Sequence, residues 1–367
     1  MLVCVVVVAA ITFVAMYRLG NWDIFDQYEE PVIEEVFEVE DDSVYPFIIP
    51  MEGQSVEPAP FNFRFLGQDF NILAEVDHRI YHGAVTAPRG FMLQNDATDE
   101  QRFEAIAAYY SKMTFDPEMD DAIESVLVQM REIRDQLSLD SDQYVELMTR
   151  FVQTIPYDAN RGFVDYETKA LGDPRMPVQV LVDGLADCDE KVMLLAAMLT
   201  REGFATAALL FEAEQHMALG IRSEGDGFAG TGYEFIETTS LAYVSEVPTI
   251  FIGGIELESD PVVLVLDPSE AGIERPDGYY SLAAAEQVQR ILAILGGAEA
   301  ASEEKRDYIE STPMEEEDFR RESALFEATI TAMNTLRATV DNLGQDTGEF
   351  KDRTDAIQWV DEHAWWE

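Results

Sequence analysis

Cys188, His216 and Glu237 are the residues whose types and spacing could do covalent chemistry. Cys188 sits in Asp187-Cys188-Asp189-Glu190-Lys191. Asp187 is a good helix N-cap, and Glu190 three residues later completes a capping box. That places Cys188 in the first turn of a helix predicted to run to Arg201, with Gly203 as its stop. A thiol there feels the positive end of the helix dipole, which favours thiolate. Lys191 is close in sequence, but Asp187, Asp189 and Glu190 push the other way. The sign of the net shift is therefore a question for the tertiary structure. The helix is apolar on nearly every side from Met193 to Leu199, so it belongs at the centre of a domain.

The elements after it position the partners. Ala205 to Phe211 reads as a strand, and Gln215 to Ile221 as the next, with His216, Ala218 and Gly220 on one face. A loop carrying Gly225, Gly227, Gly230 and Gly232 leads to a third strand, Tyr233 to Glu237. A hairpin closed near Arg222 and Thr231 would set Glu237 directly opposite His216, within reach of its ring. A cysteine on a helix, a histidine on a strand and an orienting carboxylate form an activated-nucleophile arrangement. Asp267, in Leu266-Asp267-Pro268-Ser269, is a rival acid, 51 residues past His216 where Glu237 is 21 past it.

These residues resemble the transglutaminase-like superfamily, and within it the archaeal transglutaminase-like proteins. The resemblance rests on Pro177-Val-Gln-Val-Leu-Val-Asp-Gly184, Asp187-Cys188-Asp189, His216-Met-Ala-Leu-Gly220 and Glu237-Thr-Thr239, with Phe151 to Tyr157 ahead of them. It covers roughly residues 140–250, about a third of the chain. It implies a papain-like fold. It also implies Cys188 as the nucleophile that forms a thioester, His216 as general base and then acid, and Glu237 as the group that holds the imidazole. The Cys188 backbone N–H could contribute to an oxyanion hole. The wider superfamily commonly has Asp in an Asp-Pro-Thr context as the third member. Asp267-Pro268-Ser269 imitates that context; Glu237 is preferred for its spacing.

The surrounding elements point to an α+β chain. Phe61, Phe63 and Phe65 alternate, and a second alternating run from Ile72 to Ile80 suggests a small β-layer. Thr98 and Gln101 make a capping box ahead of Phe103 and Ile106. Pro117 opens a helix with a stripe from Ile123 through Val126, Leu127, Met130 and Ile133 to Leu137. Ser141 opens another, carrying Tyr144, Leu147, Met148 and Phe151 and closed by Pro156. Thr312, Pro313 and Glu315 start a late helix with Leu325, Ala328, Ala332, Leu336 and Val340, ended by Gly344. The organisation expected is an anchor at 1–20, an acidic Pro-containing linker at 21–60, and a β/α region at 61–138. A transglutaminase-like domain at 139–280 and a helical region at 281–367 follow.

Composition excludes some classes. The chain has 367 residues with 24 Lys+Arg against 72 Asp+Glu, a net charge of −48. Binding nucleic acid by neutralising phosphates needs clustered Lys and Arg, and anionic lipid surfaces need the same. With 47% hydrophobic residues the chain is not a disordered acidic tail. Five lysines against 19 arginines, under such acid excess, resembles the composition of proteins from salt-accumulating halophiles. In molar salt the Debye length shrinks to about 3 Å, so crowded surface carboxylates barely repel.

Leu2 to Met16 is apolar apart from Thr12, and Tyr17 and Arg18 follow. That reads as a retained single-pass anchor, since no basic residue precedes it and no cleavage motif follows. Arg18 argues for a cytoplasmic bulk, the frequency of external domains on such anchors for an extracellular one; the second is slightly favoured. Cys4 falls in the apolar run, so a Cys4–Cys188 disulfide is not expected. His78 and His82 have an H-x3-H spacing but fall in an apparent strand, so no metal site is expected there. No metal or organic cofactor is implied. The expectation is a membrane-anchored cysteine enzyme acting on protein or peptide amides, a peptidase sooner than a cross-linking enzyme, because a lysine-poor setting offers few amine acceptors. A non-catalytic peptide-binding or scaffold module of the same fold is the alternative.

Overall fold

The computed structural model describes residues 47–89, 97–159, 174–341 and 357–358. The expected anchor, Cys4, most of the acidic linker and the closing turn at Gly344 lie outside the described residues. Among the described residues, no helix is long and apolar enough to cross a membrane.

Two strands, β1 (Pro60–Phe65) and β2 (Gln68–Leu73), form an antiparallel hairpin. The Leu66-Gly67 turn has φ of 46° and 79°, which suits the twist of a two-residue hairpin loop. Phe61, Phe63 and Phe65 are buried on one face, as their alternation requires. Phe61 and Phe63 pack edge-on against Phe151, with ring centroids 5.3 and 5.8 Å apart.

The second alternating run does not continue to Ile80. Helix α1 (His78–Thr86) begins there instead, capped by Asp77, whose side chain accepts from the Arg79 N–H. His78 and His82 thus lie on a helix, not a strand. A cap and one amphipathic turn outweigh a short alternating pattern that both periods can fit. His82 Nε2 lies 2.8 Å from Gln54 O, and His78 faces Glu52 and Asp77. Among the described residues, no group of three or more His, Cys, Asp or Glu is arranged to hold a metal.

Helix α2 (Asp99–Phe115) starts with the expected Thr98/Gln101 capping box. Pro117 opens a 3-10 turn, Pro117–Met119, and α3 (Asp120–Leu137) follows, with Ile123, Val126, Leu127, Met130 and Ile133 buried. Helix α4 (Ser141–Gln153) is capped by Asp140 in a box with Gln143. Then come α5 (Pro177–Asp183) and α6 (Cys188–Arg201). Residues 190–200 of α6 are all buried, so this is the central helix.

Strands β3 (Thr206–Phe211), β4 (His216–Arg222), β5 (Tyr233–Ile236) and β6 (Val262–Val265) make one antiparallel sheet in the order β5-β4-β3-β6. The chain is therefore α+β. A long helix α7 (Leu282–Ser311), capped by Ser281, buries Val288, Ile291, Ile294 and Ala298. Helix α8 (Glu316–Asp341) follows, linked to α7 by a 2.7 Å Lys305–Glu322 ion pair. Of the stripe expected on α8, Leu325 is half-buried and Ala328 is exposed, while Thr329 is buried.

Candidate active site

The site is assembled at the N-terminus of α6. Asp187 caps the helix, and the reciprocal bonds of the capping box are both present. Cys188 is the first helical residue and is a free thiol, 6% exposed. The box is itself held. Arg175 Nη1 donates to Glu190 Oε2 at 3.0 Å, and its N–H donates to Glu190 Oε1 at 2.6 Å. The same guanidinium reaches Asp183 and Asp158 at 2.8 and 2.9 Å. Tyr110 on α2 donates to Asp189 Oδ2 at 2.8 Å.

His216 opens β4 and is buried at 4% exposure. Its ring stacks at a tilt on Phe251, with centroids 4.9 Å apart, and lies near Phe211. Its Nε2 lies 3.2 Å from Glu237 Oε2. Glu237 is fully buried. Its Oε1 accepts from both the N–H and the hydroxyl of Thr239. Thr239 so fixes one carboxylate oxygen and leaves the other for the imidazole.

The contact forms in a different register from the one expected. Arg222 pairs with Tyr233 and Gly220 with Phe235, which shifts the hairpin by two residues. Extrapolated, Ala218, not His216, falls opposite Glu237. A slip of two preserves the face, because side chains alternate with period two. Glu237 reaches the ring diagonally, from just past the end of β5. Close packing helps: a Cβ at Gly220 would come within 2.9 Å of the Tyr233 Cβ.

The rival acid stands elsewhere. Asp267 follows β6, which is separated from β4 by β3. It is ion-paired with Arg275, which holds its pKa down at about 2. It lines an open groove of about 960 Å³ between α2 and the edge strand β6.

Helix α6 packs against β4, and the Met217 backbone on that strand favours the thiolate of Cys188. Opposing that, burial first, then Asp189 and Asp187, push the thiol well above its ordinary range. The sign that the sequence left open is therefore upward, and at rest the sulfur carries its proton. Among the described residues no hydrogen bond joins that sulfur to the imidazole. Burial and Asp189 likewise raise Asp187, and burial raises Glu190, against the pull of Arg175. A crowd of three carboxyls at one helix end cannot all ionise cheaply.

Three further residues belong to the site. Lys191 is completely buried, with Nζ 3.4 Å from Gln153 O. Burial draws its pKa down to about 8, while Glu237 and then Cys188 pull it upward. Gln153 Nε2 donates to Glu237 O and Ala242 O, both at 2.9 Å. Tyr157 feels Cys188, Asp187, Asp189 and Glu237, and burial foremost raises its phenol. No sequence signal marks Gln153 as a strap, because its partners lie 84 and 89 residues away.

In comparisons with known proteins, no family model, no curated protein and no solved structure matches the chain.

Proposed function

We propose that the chain is a transglutaminase-like, papain-like cysteine acyl-transfer enzyme that hydrolyses protein or peptide amides. The observation that carries the reading is the buried His216–Glu237 pair at 3.2 Å, set at the start of β4, the strand that packs against the helix bearing Cys188. An ionised Glu237 accepts from Nε2–H, which leaves Nδ1 as the basic nitrogen of the ring. Cys188 Sγ attacks the amide carbonyl carbon as its proton passes to His216. The imidazolium then protonates the departing amine as the C–N bond breaks, leaving a thioester. Water, deprotonated by His216, attacks the thioester and frees the acid, and the thiol regains its proton. In this scheme proton transfer accompanies attack, so a raised resting thiol is compatible with turnover.

The raised thiol also favours a second reading, a peptide-binding module in which Cys188 is inert. Labelling decides between them. Purified protein in high salt is treated with a peptide bearing a thiol-reactive electrophile, and adducts are located by mass spectrometry. Labelling at Cys188 that is lost in His216→Ala supports the enzyme. Absence of labelling across pH 5 to 10, or labelling indifferent to His216, supports the binding module. The membrane anchor at 1–20 and an extracellular placement stay part of the proposal, and the chemistry does not depend on them.

A further inference from the structure

We infer that the groove between α2 and β6 is a second binding site, which takes an extended peptide of alternating apolar and basic side chains as an added strand. It stands apart from Cys188 and does not depend on the cysteine reading.

Two elements give the groove its shape. Strand β6 ends the order β5-β4-β3-β6, with β3 on one side of it and, among the described residues, no strand on the other. It pairs with β3 in an unbroken register, without a bulge. Edge strands left unpaired are normally blunted by charges, bulges or cover. Val262–Val265 carries no charge, and Val265 is 57% exposed. Facing it, α2 lines the groove with a stripe at every fourth residue: Asp99, Phe103, Ala107, Ser111 and Phe115. From Asp99 to Phe115 the helix rises about 24 Å, the span of about seven extended residues. The groove holds about 960 Å³ beside that edge. In strand addition the main chain supplies affinity and alternate side chains supply specificity.

Charge selects the occupant. Glu100 and Glu104 are exposed on the rim, with no ion pair among the described residues. Arg102, on the same turn, is engaged by Glu212 through two bonds of 2.7 and 3.0 Å. At the other end Lys112 faces Glu270 at 3.5 Å, and Arg275 is paired with Asp267. A basic side chain therefore has open partners at the Glu100 end, while apolar ones suit Phe103, Ala107 and the valines of β6. A second copy of this chain, at −48, would bring like charge to that rim, as would the acidic stretch at 21–46. A helical partner would leave the β6 edge unpaired.

The test is fluorescence anisotropy on the intact protein, at the lowest salt that keeps it folded. The probe is a fluorescein-labelled, end-blocked peptide of alternating Lys and Val, about seven residues long. It is expected to bind about tenfold or more tighter than its Glu/Val counterpart. Two further copies are N-methylated, one at every Val and one at every Lys. One of them is expected to lose binding and the other to keep it, because a strand turns alternate N–H groups to opposite edges. Glu100→Lys/Glu104→Lys is expected to weaken the Lys/Val peptide by about tenfold, and Cys188→Ala to change nothing. Should the double variant not fold, Val265→Lys sets a charge on the edge and is expected to weaken binding likewise. General attraction to the acidic surface would make the N-methylated copies behave alike and the charge reversal ineffective, and overturns the inference. Binding that disappears in Cys188→Ala places the peptide at the cysteine site and overturns it too, as does no binding at all. An unreactive Cys188 sinks the enzyme reading and leaves this inference standing.

Discussion

Replacing Lys191 by Met should make the protein more stable at neutral pH. The magnitude follows from the burial of the ammonium. An exposed lysine in the unfolded chain titrates at 10.5, and burial at the heart of α6 brings Lys191 to about 8. At about 1.4 kcal/mol for each tenfold change in proton affinity, holding the charge inside costs about 3 kcal/mol at pH 7. Met keeps the stem length and fills the same volume, and losing the 3.4 Å bond to Gln153 O returns about 1 kcal/mol. A net gain of about 2 kcal/mol is expected. The sign of the pH dependence is fixed by the lowered pKa. Between about 8 and 10.5 the unfolded chain holds a proton that the native state has released. Stability supplied by this residue therefore rises with pH across that window. The wild type should gain on the variant by about 3 kcal/mol between pH 7 and pH 10.5. Urea unfolding of both proteins in high salt, at half-unit steps of pH, reads the difference, and groups common to both cancel. A Met variant that is less stable at pH 7, with a difference that stays flat to pH 10.5, would refute the reasoning.

Other outcomes follow from the same site. Glu237→Gln should lower hydrolysis of a peptide amide by about 100-fold or more through loss of the imidazole's orienting charge, whereas Asp267→Asn should leave the rate within about twofold. Asp189→Asn removes the carboxyl that, after burial, does most to hold the Cys188 thiol up, so the pH of half-maximal alkylation should fall. Arg175→Met strands the buried Glu190 and Asp158 and should cost about 3–5 kcal/mol in chemical unfolding. Gly220→Val drives a side chain into Tyr233 and should destabilise by about 1–3 kcal/mol, seen as a lower Tm.

The parts of the site legible in the sequence are those written in short-range patterns. The Asp187/Glu190 box puts both its partners within one turn, so the start of α6 and the place of Cys188 follow from four residues. Alternation in Phe61, Phe63 and Phe65, and in His216, Ala218 and Gly220, assigns faces without any knowledge of neighbours. The order of cysteine, histidine and acid is likewise plain in the chain. Short-range patterns fail where two periods fit the same few residues, as at His78 and His82, where the Asp77 cap decided for a helix.

What only the tertiary structure decided depends on distance through space. The loop between β4 and β5 set a register two residues from the expected one, and Glu237 kept its contact only because the slip was even. Strand order separated Asp267 from His216, and Arg275 neutralised it. The Cys188 thiol was pushed upward because packing buried it beside Asp189 and Asp187 more strongly than the Met217 backbone could offset. Lys191 and Gln153 became parts of the site because α4, α6 and the end of β5 meet there. No local pattern encodes such a meeting, since the energy of a buried charge depends on which groups the whole fold brings around it.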